Sequence, residues 1–212
     1  MNEHLIYQTE IEYWKDVYKN KIRFLSKNNS TVIPWEIETV DPNLPKLLDR
    51  FSLNSGKLLE LGCGKGVDAN YLCKRGFQVT AIDISEDVIA IAKQNNCALD
   101  IQFYSADFFV GIPREKFDIV YDRGFLHNFK TRLSIIFEKV SFILNDQGKY
   151  IFITGNPNQP TIQSCVPPPV FLSEIEQASS QWFKIISVEE IIFKVNENYL
   201  NSLGYIWYLE KR

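Results

Sequence analysis

The ten residues Lys57–Gly66, KLLELGCGKG, constrain the fold more than any other stretch. Leu58, Leu59 and Leu61 form a short run that is apolar apart from Glu60, as in a strand buried on both faces. Gly62, Gly64 and Gly66 then alternate, and a helical pattern opens at once with Val67, Ala69, Tyr71, Leu72 and Cys73. Strand, glycine turn and helix make the start of a nucleotide-binding βαβ unit. Glycine is required where the backbone turns with positive φ, or where a ligand must touch the main chain.

The rest of the chain continues the alternation. FQVTAI (77–82) predicts a second strand and SEDVIAIAKQNN a helix, with Ser85 as its cap and Glu86 and Asp87 at its positive end. LDIQFY and KFDIVYD predict strands three and four, Thr131–Leu144 an amphipathic helix closed by NDQGKY, and KYIFITG a fifth strand. A short helix is expected near Phe171–Ala178. The final β-patterns, WFKIISVEEIIFKV and LGYIWYLEKR, have no room for a crossover helix between them and read as an antiparallel pair. The expected fold is therefore α/β: a Rossmann-like, doubly wound, mostly parallel seven-stranded sheet with an antiparallel C-terminal strand. One domain over 1–212 is expected, with 56–212 as the core. Residues 1–55, carrying Trp14, Tyr18, Phe24, Trp35 and Leu47, are expected to be helices covering the site.

Composition narrows the partners. A net charge of −3 is poor for binding nucleic acid, which takes clustered Lys and Arg. No apolar run approaches the ~18 residues of a membrane span, and the acidic, polar start MNEHLIYQTE is no secretory signal. Four cysteines, Cys63, Cys73, Cys97 and Cys165, show neither C-x-x-C spacing nor a disulfide pattern. A reduced, cytoplasmic protein is expected, a monomer or homodimer, with a small-molecule substrate, no membrane or nucleic-acid partner and no metal.

In such a sheet, ligands bind at the carboxyl ends of the strands. Those ends carry Glu60, Asp83, Asp107, Asp122 with Arg123, and Asn156. A G-x-G-x-x-G turn would suggest a dinucleotide, whose pyrophosphate sits on the helix N-terminus. Here the spacing is G-x-G-x-G and Glu60 precedes it, so a pyrophosphate would be repelled. S-adenosylmethionine carries a sulfonium and an ammonium and no phosphate. Asp83 follows the first glycine by roughly 20 residues, where a carboxylate takes ribose hydroxyls. Cys63 reads as a small residue that fits the turn.

With these motifs in place, the chain resembles the class I S-adenosylmethionine-dependent methyltransferases over about residues 33–212. ELGCGKG, AIDIS, SADFF, FDIVYDRGFLHNF and LNDQGKYIFIT match the family's successive motifs in order. IPWE, LGCGKGVDANYLCKRGFQVTAIDIS and YDRGFLHNF are most similar to its thiopurine S-methyltransferase-like branch. The resemblance implies that Gly62, Asp83, Ala106, Asp107 and Arg123 touch the cofactor and that Trp35 covers it. Glu60, Cys63, Gly64, Ile84 and Phe108 complete the expected cofactor contacts. The branch tends to have Glu where this chain has Asp83, and the substrate is not part of what the resemblance implies.

Individual residues carry two readings each. Asp107 either caps a short turn or takes the adenine amine while Phe108 stacks nearby. Asp122 and Arg123 are either a surface ion pair or ligand contacts, with Arg123 on the methionyl carboxylate and Asp122 among the catalytic candidates. His127 is either a base facing the substrate or a hydrogen-bonder within its loop. The loop GNPNQPTIQSCVPPPV, with five prolines, reads as a lid or binding loop. Methyl transfer to S, O or N of a small apolar or aromatic molecule is the expected reaction. Methylation of a protein side chain and a catalytically silent cofactor-binding partner protein are the alternatives.

Overall fold

The computed structural model describes residues 3–19, 32–111, 114–158 and 168–212. Phe24 and Cys165 lie outside them, as does the side chain of His4. The leucine run is β1 (Gly56–Leu61), which pairs in parallel with β2 (Phe77–Asp83) on one side and β4 (Phe117–Arg123) on the other. β3 (Ile101–Ser105) adds beyond β2 and β5 (Leu144–Gly155) beyond β4, both in parallel. β7 (Ser202–Lys211) inserts antiparallel between β5 and the edge strand β6 (Phe183–Phe193), giving the order β3-β2-β1-β4-β5-β7-β6. The expected sheet and its antiparallel closing pair are both present.

Six α-helices are described: α1 (Glu3–Tyr18), α2 (Asn43–Arg50), α3 (Val67–Arg75), α4 (Glu86–Asn95), α5 (Leu133–Ile143) and α6 (Leu172–Ser179). Side chains alternate across a strand, so each inner strand serves two cores. On one face Leu44, Leu48, Ala69, Leu72 and Ala92 from α2–α4 cover Leu58, Val79, Ala81 and Tyr121. On the other, Ile136, Phe137, Val140 and Ile175 from α5 and α6 cover Leu59, Val120, Phe152 and Leu209. Ser85 caps α4 by accepting the Val88 N–H at 3.4 Å, as its position predicts. No helix among the described residues is long and apolar enough to cross a membrane.

Three local expectations are corrected. The turn at 145–148 is an irregularity inside β5, with Gln147 at φ 59° and the register to β4 shifting there. The helix expected from Thr131 begins at Leu133, after a 3-10 segment over Leu126–Arg132. The N-terminal cover is helical only in part. α2 is a core helix with Leu47 buried, and the following Phe51 stacks on Tyr208 at 4.1 Å. Trp35 sits in an irregular segment, which with α1 lies over the glycine turn.

Phe137 is fully buried among Tyr150, Phe152 and Phe183. Phe137→Ala should cost about 3–5 kcal/mol. Urea unfolding should show a lower midpoint at an unchanged m-value.

Candidate active site

The glycine turn is built around a carboxylate. Gly62, Gly64 and Gly66 all take positive φ, 65°, 51° and 76°, which residues with a Cβ rarely adopt. The Gly64 N–H thereby reaches Asp83 Oδ2 at 3.0 Å, while the Ser85 N–H donates to Asp83 Oδ1 at 3.0 Å. Each oxygen keeps a second lone pair, so the buried carboxylate can hold a vicinal diol. Beside it, the Ala106 N–H donates to the Asp83 carbonyl, and Ile84, Ala106, Asp107 and Phe108 line the same cavity. Asp107 Oδ1 accepts the Phe109 N–H at 2.9 Å, so the turn-capping reading holds, on the cavity wall.

A buried ion pair stands next to the turn. Asp68, in the first turn of α3, accepts from Arg123 Nε at 3.2 Å and from the Tyr121 hydroxyl at 3.1 Å through the same oxygen. Arg123 Nη2 donates to the Trp35 carbonyl at 2.9 Å, and the guanidinium lies 5.9 Å from the Phe193 ring centre. Arg123 is thus no surface ion-pair partner. Burial, and then the nearby Asp68 charge, pushes the Glu60 carboxyl well above the usual carboxylate range.

Asp122 points the other way. As the neighbour of Arg123 on a strand, it faces the α5 side, and it does not line the cavity. Its Oδ1 accepts the Phe125 and Leu126 N–H groups at 3.0 and 3.3 Å, and its Oδ2 the Tyr150 hydroxyl at 2.6 Å. A direct catalytic contact expected of Asp122 is therefore corrected: it shapes the loop carrying His127. Burial pushes its pKa up to about 7.

His127 lines the cavity, buried, with Nδ1 without a partner. Burial, and secondarily the Arg123 charge, pushes its pKa down to about 3. Phe109, Phe125 and Phe129 form an aromatic wall nearby, with ring centres 5.0–6.4 Å apart. Across from it, Tyr18 of α1 accepts from Trp35 Nε1 at 3.3 Å, and Trp14 meets Trp35 edge-on at 5.3 Å. Cys63 faces the cavity as a buried thiol whose pKa is raised by burial.

One cavity of about 360 Å³ gathers these groups. It includes every expected site residue except Asp122, and Pro168 from the end of the proline-rich loop; residues 159–167 of that loop lie outside the described residues. Sequence reasoning missed Asp68, Glu36 and Phe193, which also line it, as does Tyr18 of the expected cover. Asp68 carried a signal, an acid in the first helical turn after the glycines, although macrodipole preference alone accounts for such acids. Five of the cavity's side chains, Glu36, Glu60, Asp68, Arg123 and His127, hold buried polar atoms without a partner, the state expected where a ligand completes them.

An acid after strand two that accepts the Gly64 N–H, a buried acid with an unpartnered oxygen before a G-x-G-x-G turn and a seven-stranded sheet of this order are the features of a class I S-adenosylmethionine-dependent methyltransferase fold. Its orphaned acids and cation match that cofactor's charged groups. The model of the thiopurine S-methyltransferase family matches residues 20–208, and the chain belongs to that family. It is 27% identical over 135 residues to the probable thiol methyltransferase 2 of Arabidopsis thaliana, covering 58% of each chain. To thiocyanate methyltransferase 1 of the same plant it is 28% identical, covering 75% of this chain and 72% of that protein. To the ubiquinone biosynthesis O-methyltransferase of Stutzerimonas stutzeri it is 26% identical, covering 52% and 49%. The chain thus spans between 49% and 72% of the length of these relatives. Among solved structures, a methyltransferase from Anabaena variabilis superposes with a TM-score of 0.74 at 20% identity, covering 95% of both chains. A protein studied in the conversion of a disulfide into a thioacetal during echinomycin biosynthesis gives 0.80 at 22%, covering 95% and 92%. These two likenesses establish the shared fold.

The raised pKa of Asp122 sets the sign of a pH effect. Its contribution to stability is present below its unfolded value near 3.8 and is lost as pH rises through about 7. Relative to Asp122→Asn, whose amide does not ionise, the wild type should lose stability across that window. Urea midpoints of both proteins, taken from pH 4 to 8, check it.

Proposed function

We propose that the protein transfers the methyl group of S-adenosylmethionine to the sulfur of a small apolar molecule that reacts as its thiolate. The observation carrying this reading is the state of His127. A general base works best with a pKa near the working pH, and one of about 3 holds a proton poorly. Asp122, the other candidate, is outside the cavity. A thiol with a pKa of about 8.5 supplies its own anion, so no side chain need remove a proton in the transition state. The relatives named as thiol and thiocyanate methyltransferases support the same acceptor.

Bound S-adenosylmethionine supplies an activated methyl group on a positively charged sulfur. The chain's own residues then bind and orient. Asp83 takes the ribose hydroxyls, and Ile84, Ala106, Asp107 and Phe108 surround the base. Gly62, Cys63 and Gly64 offer backbone, Glu60 and Arg123 receive the charged methionyl end, and Trp35 covers it. The wall of Phe109, Phe125 and Phe129 excludes water and holds an apolar acceptor. His127 contributes a neutral polar contact.

A hydroxyl or amine acceptor is the second reading, favoured by Glu36. Its Oε2 is held by Lys65 at 2.5 Å, while its Oε1 is buried on a cavity-lining residue without a partner and could take a proton. A methyl-transfer assay with matched aryl thiols, phenols and anilines separates the two. Thiols should turn over, and His127→Ala should change their kcat by far less than the ~100-fold typical of a lost base. Phenol turnover abolished by Glu36→Gln would sink the thiol reading, and binding without turnover of any acceptor would favour a silent cofactor-binding module. Calorimetry should show binding of S-adenosylmethionine and S-adenosylhomocysteine but not NAD. In Asp83→Ala the loss of hydrogen bonds to a charged group, roughly 1.5–3 kcal/mol, should weaken cofactor binding about tenfold or more.

A further inference from the structure

The segment that carries Trp35 is held from two sides. On the outside, the carbonyls of Val32, Pro34 and Glu36 all accept from the loop joining β6 and β7. Their donors are the Tyr199 hydroxyl at 2.8 Å, the Asn196 N–H at 2.7 Å and the Asn196 side-chain amide at 3.0 Å. On the inside, the Trp35 carbonyl accepts from Arg123 at 2.9 Å, and the Trp35 indole donates to Tyr18 on α1 at 3.3 Å. The Asn196 amide serves a different partner at each end. Its Oδ1 accepts the Asn198 N–H at 3.0 Å and shapes its own loop, while Nδ2 reaches across 160 residues of sequence to Glu36. Asn196 and Tyr199 do not line the cavity, whereas Trp35 and Glu36 do.

Residues 32–41 form neither helix nor strand, so no ladder of backbone hydrogen bonds fixes them. Ordering such a segment is entropically costly. Where contacts elsewhere in the fold already order it, that entropy is lost on folding and not again when a ligand binds. We infer that Asn196 and Tyr199 are positioning residues for the cofactor: from outside the cavity they keep residues 32–36 ordered before binding, so that Trp35 and the carbonyl that orients Arg123 are in place for the ligand. The inference rests on the reading that S-adenosylmethionine binds beneath Trp35. It adds that the cofactor's affinity is set in part by a loop of the C-terminal hairpin that does not touch it through these two side chains.

The test uses the full chain and three variants. Tyr199→Phe removes only the hydroxyl that donates to Val32. Asn196→Asp keeps an oxygen for the Asn198 N–H, and so the turn of the loop, but sets an oxygen against the Glu36 carbonyl in place of a donor. Asn198→Ala alters the same loop and leaves both side-chain bonds to the segment, so it is the control. In calorimetry with S-adenosylhomocysteine, the dissociation constant should rise roughly two- to tenfold in Tyr199→Phe and in Asn196→Asp, the worth of one neutral hydrogen bond. In Asn198→Ala it should stay within about twofold of the wild type. Amide hydrogen exchange supplies a reading that a general loss of structure would not give. Peptides covering residues 32–37 should exchange faster in the two unliganded latch variants and slow again at saturating S-adenosylhomocysteine, with peptides from β1 and β4 as in the wild type. Unchanged affinity in both latch variants, an equal loss in Asn198→Ala, or exchange that quickens in β1 and β4 as much as in 32–37 would overturn the inference while leaving the cofactor reading intact. A wild type that does not bind S-adenosylhomocysteine would overturn the cofactor reading and this inference with it.

Discussion

A guanidinium buried at the end of a central strand is the constraint around which this site is arranged. Taking Arg123 out of water is costly unless its donors are met and its charge is balanced. Asp68 on α3 and the carbonyl of Trp35 meet two of its nitrogens. One side chain therefore ties together β4, the helix after the glycine turn and the segment that covers the cavity. Moving any of the three would leave a buried charge unpaired.

The covering segment is held from its far side as well. The loop between β6 and β7 donates the Asn196 N–H to the Pro34 carbonyl at 2.7 Å and the Asn196 side chain to the Glu36 carbonyl at 3.0 Å. The Tyr199 hydroxyl donates to the Val32 carbonyl at 2.8 Å. The antiparallel closing pair thus positions residues 32–36, and with them Trp35 and Glu36. β6 also sends Phe193 against Arg123, so the C-terminal hairpin shapes a cavity whose chemistry begins at β1.

Of the nine buried polar side-chain atoms without a partner among the described residues, five lie where a ligand can relieve them. Within the sheet, Asp122 is satisfied by two backbone amides and Tyr150, and Asp83 by two amides. The unsatisfied atoms of Glu36, Glu60, Asp68, Arg123 and His127 instead belong to residues lining one cavity. Each such atom weakens the empty fold, and a complementary ligand recovers that cost on binding. His127 shows what burial beside a cation does to a side chain: its ring is held neutral and weakly basic.

Much of this was legible in the chain itself. The leucine run, the alternating glycines and the alternation of strand and helix depend on local periodicity and on backbone conformations open to glycine, so they determined the sheet, the Asp83 position and the cofactor class. The antiparallel closing pair followed from a connection too short for a helix. Side-chain facing at β4 was decided by tertiary structure. Neighbouring Asp122 and Arg123 look equivalent in sequence, but period two sends one into the α5 core and the other into the cavity. Asp68 became a site residue only when β4 brought Arg123 to its carboxylate across 55 residues of sequence. Likewise, residues 32–36 gave no sign that they would be held down by Asn196 and Tyr199 from the other end of the chain. Contacts between distant segments depend on how the whole sheet closes, and no local pattern carries them.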